Sequence, residues 1–142
     1  MTVEFAVATE SDLPSIERML AENDSQMAGY AEGRWFVARD GEQIIGSIHV
    51  TDLPGARYYD DVDVTEERRG GGIGSAFMRH VMGEWPSRSY LVCHEPRIEF
   101  YRRLGFERIE ESDVPEPVRT HAYRSDDLPS RPDHVHHLMA RP

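Results

Sequence analysis

Residues 3–8, V-E-F-A-V-A, alternate apolar and polar positions as a short half-buried strand does. Thr9 or Ser11 can cap the helix that follows, and Pro14 suits its first turn. Leu13, Ile16, Met19 and Leu20 then recur on one helical face. Residues 21–33 are polar and contain glycine, with room for a short helix over 24–30. Two β-rich runs, 35–38 and 43–50, flank R-D-G-E, where Asp40-Gly41 signals a tight hairpin. Leu53-Pro54-Gly55-Ala56 is a second turn and leads into a fourth strand over 57–64.

Helical periodicity resumes over 75–82, with Ile73, Phe77, Val81 and Met82 on one side and Pro86-Ser87 as the stop. S-Y-L-V-C-H reads as a fifth strand, 96–104 as a helix stopped by Gly105, and 106–109 as a sixth strand. Residues 111–133 hold four prolines (115, 117, 129, 132) and many charges, so an irregular loop over one end of the sheet is expected. Residues 134–139 complete the pattern as a last strand. Neither an internal repeat nor a second domain shows, and a single domain over 1–142 is expected.

The most informative stretch is V-D-V-T-E-E-R-R-G-G-G-I-G-S-A-F-M, from Val62 to Met78. A strand, a glycine-rich turn and a helix N-terminus in succession make an anion cradle. Glycine lets the backbone approach an anion closely, and the first-turn N–H groups lack intrahelical acceptors. The helix dipole adds partial positive charge at the same point. A P-loop requires Lys before Ser or Thr, and the chain has no lysine. The dinucleotide pattern G-x-G-x-x-G meets Ser75 or Phe77 where its last glycine should stand. A plain flexible turn is the remaining alternative, and the adjacent arginines argue against it.

What fits is R-x-x-G-x-G, filled by Arg69, Gly72 and Gly74. Here the chain resembles the GNAT superfamily of acyl-CoA-dependent N-acyltransferases. A second block, E-F-Y-R-R-L-G-F at 99–106, is similar to that family's F-Y-x-x-x-G-F signature. The opening strand and helix resemble the family's as well, so the likeness covers most of the chain. It implies an α/β fold of the α+β type, with a mixed, mostly antiparallel sheet of about six to seven strands flanked by helices and splayed fourth and fifth strands.

The resemblance also implies chemistry. Acyl transfer from a thioester needs a neutral amine, a polarised carbonyl and a stabilised thiolate. By the resemblance, backbone at Val62, Asp63 and Val64 holds pantetheine. N–H groups of Gly70, Gly71, Gly72, Ile73, Gly74 and Ser75 take the pyrophosphate. Arg69 closes the turn and adds charge, with Arg68 a weaker phosphate contact. Tyr101 corresponds to the family's general acid, although Phe100, Leu104 and Phe106 also give it a plain packing role. Asp60 or Asp61 is the candidate base or amine contact; adjacent strand residues point to opposite faces, so one of the two faces the acceptor. Many members carry Asn seven residues before the tyrosine and a small residue four before it. Here those positions are His94, which can still hydrogen-bond pantetheine, and Arg97, which puts the local coenzyme contact in doubt.

Charge narrows the partners. With 26 acidic against 16 basic residues and a net charge of -10, the exterior repels nucleic acid and anionic membrane but suits a cationic acceptor. Cys93 is the only cysteine, so an intrachain disulfide is excluded; a buried strand thiol is expected rather than a nucleophile. His134, His136 and His137 suggest a metal, yet no further ligand stands in fixed relation, and no metal is expected. No run approaches the roughly twenty apolar residues of a membrane span, so a cytoplasmic protein is expected. The leading expectation is an N-acetyltransferase moving acetyl from acetyl-CoA to a primary amine, most simply a small molecule, by direct transfer. The alternative is a non-catalytic acyl-CoA-binding sensor. Dimers are common among similar proteins, which leaves a homodimer open.

Overall fold

Most of the stretches read as strands or helices from their periodicity form those elements in the part of the chain that can be described. The computed structural model describes residues 2–22, 33–83, 88–133 and 135–142. The helix anticipated over 24–30, the stop at Pro86-Ser87 and His134 lie outside these residues. Seven strands, β1 (Val3–Val7), β2 (Arg34–Asp40), β3 (Gln43–Leu53), β4 (Ala56–Val64), β5 (Arg88–Cys93), β6 (Glu107–Arg108) and β7 (His137–Arg141), form one sheet. Their order is β1-β2-β3-β4-β5-β7-β6. β4 and β5 run parallel, whereas β1–β2, β2–β3, β5–β7 and β6–β7 are antiparallel, which is the mixed, mostly antiparallel sheet expected. The helices among the described residues are α1 (Leu13–Glu22), α2 (Ile73–Met82), α3 (Ile98–Arg102) and α4 (Glu116–Arg124). The chain divides into two compact units, Met1–Val50 with Asp60–Trp85 and Thr51–Tyr59 with Pro86–Pro142.

In the first unit, Ile16 and Leu20 of α1 pack on Trp35 and Val37 of β2. Each such burial contributes on the order of 1.5–3 kcal/mol before the entropy cost of ordering. The opposite face carries α2, whose Phe77 stacks on Phe5 of β1 at 5.1 Å between ring centroids. Gly46 of β3 lies on the α2 side, where an added Cβ would stand 2.9 Å from the Asp63 carbonyl oxygen and 3.5 Å from Phe77. Pairing runs Ala38 with Gly46 and then Arg39 with Ile44, so Ile45 is an extra residue in β3. Its carbonyl accepts the Thr65 N–H at 2.8 Å, just past the end of β4.

In the second unit, Ala56–Tyr59 of β4 pair with Arg88–Leu91 of β5, and the ladder stops at Tyr59 with Leu91. β5 continues against β7 to the pair Cys93 with His137. Tyr58, Tyr90, Val118, Ala122, Leu128 and Ala140 form a core here. Residues 116–124 correct the expectation of an irregular loop: they form α4, preceded by a 3-10 turn at Glu111–Asp113. Pro115 and Pro117 sit at the helix entry, where a missing N–H breaks no intrahelical bond. Val118 and Ala122, four apart, are the helix's buried residues, too few to register as an apolar stripe. Tyr58 donates its hydroxyl to Asp127 at 2.6 Å and so ties the segment after α4 to β4. The expected helix over 96–104 resolves into a 3-10 turn, Glu95–Arg97, and the five-residue α3.

Asp12 anchors the entry to α1. Its Oδ2 accepts the Thr9 N–H at 2.7 Å and the Thr9 hydroxyl at 3.0 Å, and it is ion-paired with Arg39. Burial pushes its pKa up, but the Arg39 and Thr9 hydrogen bonds outweigh that and hold it below the ordinary 3.8. A depressed folded-state pKa means stability that is fully present above the unfolded value and is lost as pH falls through the folded one. Asp12→Asn is therefore expected to cost about 1–3 kcal/mol at neutral pH. In urea denaturation across pH, the gap between native protein and variant should be flat near neutrality and close below pH 3.8. A gap that widens on acidification would contradict this account.

Candidate active site

The first unit carries the glycine-rich turn. β4 ends at Val64, a 3-10 turn spans Glu66–Arg68, and Arg69 follows in extended conformation at φ -72°, ψ 152°. Arg69 Nε donates to the Val64 carbonyl at 2.9 Å, closing the loop onto the strand that feeds it. Arg68 is paired with Asp40 at 2.7 Å, which makes it a structural cation more than a phosphate contact. Gly72 caps α2 at φ +85°, a left-handed conformation that would strain any L residue with a side chain. The helix begins at Ile73, two residues before the apolar periodicity suggests, and Ala76 N–H makes the first bond back to Gly72 at 3.1 Å. Ile73, Gly74 and Ser75 are thus the first-turn residues whose N–H groups have no intrahelical acceptor. Lacking a side chain, Gly72 supplies no side-chain cap to them.

The acidic residues of β4 are in the same unit. Asp60 is hydrogen-bonded to His49 of β3, Nδ1 to Oδ1, at 2.7 Å. The His49 ring lies against Trp35 at 4.7 Å between centroids. Asp61 follows at φ +49°, a left-handed aspartate within a strand, so regular alternation fails at this point. The carboxylate that meets the α1 face, beside Trp35 and His49, is Asp60. Ser47 shares that face, two residues from His49. Trp35 Nε1 and Ser47 Oγ are buried there and have no hydrogen-bond partner among the described residues. Val62, Asp63 and Val64 are half-buried.

The second unit holds Tyr101, His94 and Arg97. Tyr101 of α3 is 5% exposed, packed edge-on to Phe100 at 5.0 Å and Phe106 at 5.9 Å. Arg97, where a small residue is usual, lies over the Phe100 ring at 5.5 Å and the Tyr101 ring at 5.9 Å. It acts as a cationic lid on aromatic faces. His94, just past β5, packs on His136 at 4.9 Å. An open cavity of about 760 Å³ lies between the segment after β6, α4 and β7, with Arg108, Glu110, Asp113 and His137 among its walls. Tyr123 at its edge donates to Glu111 at 2.5 Å, and that bond raises the phenol pKa. Burial pushes the Cys93 thiol up to about 11, and Cys93 contacts Met139 Sδ at 3.6 Å. A thiol so protonated is no nucleophile near neutral pH. Among the described residues no group of three or more His, Cys, Asp or Glu could hold a metal ion. None of the described helices is long and apolar enough to cross a membrane.

His49 escaped the sequence reading. Its signal was a histidine inside β3, where seven successive residues from Ile45 to Thr51 are buried.

A family model for the acetyltransferase (GNAT) domain matches residues 31–108. No curated protein sequence matches the chain. Among solved structures, N-acetylglutamate synthase from Neisseria gonorrhoeae, complexed with coenzyme A and N-acetyl-glutamate, aligns with a TM-score of 0.77 at 19% identity. That alignment covers 99% of this chain and 35% of the synthase chain, so the chain spans about a third of that relative. Arabidopsis thaliana Naa50, in complex with the bisubstrate analogue CoA-Ac-MVNAL, aligns with a TM-score of 0.75 at 16% identity over 100% of this chain and 99% of its own. Rv2747 from Mycobacterium tuberculosis, in complex with CoA and NLQ, gives 0.75 at 20% identity over 99% and 98%. At these identities the likeness is one of fold. With the family match spanning more than half of the sequence, the chain belongs to the GNAT acetyltransferase family.

Proposed function

We propose that the chain transfers an acetyl group from acetyl-CoA to a primary amine, most simply a small-molecule amine, by direct attack in a ternary complex. The observation that carries this reading is the α2 N-terminus, with left-handed Gly72 as cap and Arg69 clasped to Val64. Pyrophosphate suits such a terminus because partial positive charge and uncapped N–H groups coincide there. Solved relatives of the same fold are complexed with coenzyme A, which supports the choice of donor.

Each residue then has a task. Gly70, Gly71, Gly72, Ile73, Gly74 and Ser75 offer backbone N–H groups to the pyrophosphate, and Val62, Asp63 and Val64 offer backbone to pantetheine. His94 gives a further hydrogen bond to the coenzyme arm. Asp60 accepts a proton from the acceptor ammonium; Asp61 sets the backbone that presents it. The coenzyme supplies an activated acetyl thioester. The amine forms the new N–C bond as the C–S bond breaks, Tyr101 protonates the departing sulfur, and the second amine proton restores the phenol. One proton is released in the net reaction. One relative is complexed with N-acetyl-glutamate and another with the bisubstrate analogue CoA-Ac-MVNAL, so amino-group substrates head the panel to be tried.

Three outcomes test the reading. Acetyl-CoA at about a hundred times its Kd should stabilise the protein by about 2.7 kcal/mol in thermal denaturation, and an unchanged melting temperature at saturation would sink the proposal. Thiol release should follow addition of some member of a panel of amines, amino acids, polyamines and peptide N-termini. Stabilisation without release by any of them would favour the acyl-CoA-binding sensor. Tyr101→Phe should lower kcat by about 10²–10⁴ with little change in acetyl-CoA affinity, and an unchanged kcat removes the acid role. Separately, Gly72→Ala should cost about 1–2 kcal/mol and weaken coenzyme binding, because its φ is left-handed. Gly71→Ala, whose added methyl meets only the Arg68 carbonyl at 3.9 Å, should leave stability nearly unchanged.

A further inference from the structure

A buried histidine in the middle of a buried strand needs a physical reason. His49 is surrounded along β3 by Ile45, Ile48 and Val50, all fully or almost fully buried. An imidazole–carboxylate pair in such a place gains less stability than apolar side chains of equal volume. What the pair does provide is geometry. Asp60 Oδ1 stands 2.7 Å from His49 Nδ1, and the ring packs against Trp35 at 4.7 Å between centroids, tilted by 39°. An ionised carboxylate can only accept, so Nδ1 carries the proton and donates it.

The two side chains are unequally exposed: His49 is 3% accessible and Asp60 is 17%. That inequality assigns the roles. In the Ser-His-Asp arrangement the imidazole faces the substrate and the carboxylate lies behind it. Here the order is reversed, with the carboxylate outward and the imidazole behind. Asp60 Oδ2 has no hydrogen-bond partner among the described residues, which leaves it to meet an ammonium. Directly after Asp60 comes Asp61 at φ +49°, a conformation that costs free energy and re-aims side chains along the strand. Trp35 Nε1 and Ser47 Oγ are buried on the same face without partners among the described residues, so polar atoms and not only apolar ones line it.

We propose that His49 is a positioning residue: its Nδ1–H holds one oxygen of Asp60 so that the other receives the proton of the acceptor ammonium. The inference rests on the acetyl-transfer reading above. In the step, an N–H bond of the ammonium breaks and an O–H bond forms on Asp60. The nitrogen keeps the electron pair for attack, and Asp60 later releases its proton to solvent. His49 keeps its own proton throughout.

Two substitutions separate this role from plain packing. His49→Phe keeps a ring against Trp35 and deletes the N–H. His49→Asn loses the ring but places an amide N–H where Nδ1–H stood. With the amine that gives most thiol release from the native protein, His49→Phe should lower kcat about tenfold or more while the acetyl-CoA KM stays within about twofold. His49→Asn should recover most of that loss. The opposite order, with Phe active and Asn impaired, makes His49 a packing residue and overturns the proposal. Should either variant fail to fold, nitrogen-15 NMR of the native His49 imidazole decides: a proton on Nδ1 is expected, and an Nε2–H tautomer with bare Nδ1 overturns the assignment. If none of the amines gives thiol release with the native protein, the acetyl-transfer reading falls, and this one with it. Native turnover with the Phe-over-Asn order removes only the role of His49.

Discussion

The close approach of β3 to the last residues of β4 is the constraint on which the candidate site depends. At Gly46 there is no space for a Cβ, since the Asp63 carbonyl would lie 2.9 Å away. Because that gap is closed, the extra residue Ile45 reaches Thr65 N–H, and β4 ends where Arg69 can fold back on Val64. The same pair of strands brings His49 opposite Asp60. The close approach at Gly46 thus lies on the same pair of strands as the imidazole–carboxylate pair and just before the glycine-rich turn. The β-bulge and the left-handed Asp61 are local strains of the kind that collect at functional sites, where surrounding contacts over-determine them.

Electrostatics in this protein works at short range. A net charge of -10 disfavours a polyanionic coenzyme at long distance. Several arginines are engaged with carboxylates: Arg39 with Asp12, Arg57 with Asp52, Arg68 with Asp40. In the proposed function, Arg69 and the fixed backbone dipoles at the start of α2 supply the local attraction, and the dipoles need no net charge and little reorganisation. Acidity over the rest of the surface favours a cationic acceptor. In the proposed function, donor and acceptor are thus selected by different means, oriented N–H groups for one and carboxylate charge for the other.

How legible each part was follows from how local its cause is. R-R-G-G-G-I-G could be read because left-handed glycines and a helix start are decided by neighbours in sequence. The hairpin at Asp40-Gly41 was legible for the same reason, and β2 and β3 pair directly across it. Helix α4 was hidden, since its prolines resemble loop chemistry and its stripe is reduced to Val118 and Ala122. Its stability comes from Tyr58, Tyr90 and Leu128, and Tyr58 is far away in sequence. The oddness of Arg97 also dissolves only in three dimensions, where its guanidinium covers two aromatic rings.

His49 shows the same limit at the level of chemistry. Read along the chain, Asp60 and Asp61 are equivalent, and alternation alone says only that they face apart. Choosing between them required a partner eleven residues earlier, on another strand, and a backbone φ that no propensity scale anticipates for aspartate within a strand. Once the imidazole is in place the symmetry is broken. One carboxylate has an oxygen fixed by a buried donor, while the other sits at the kink that presents it. A motif can therefore point to the proposed donor, because backbone N–H groups arranged by neighbours in sequence suit a pyrophosphate. The carboxylate proposed as proton acceptor is set apart by side chains from separate strands, and only the register that aligns those strands reveals it.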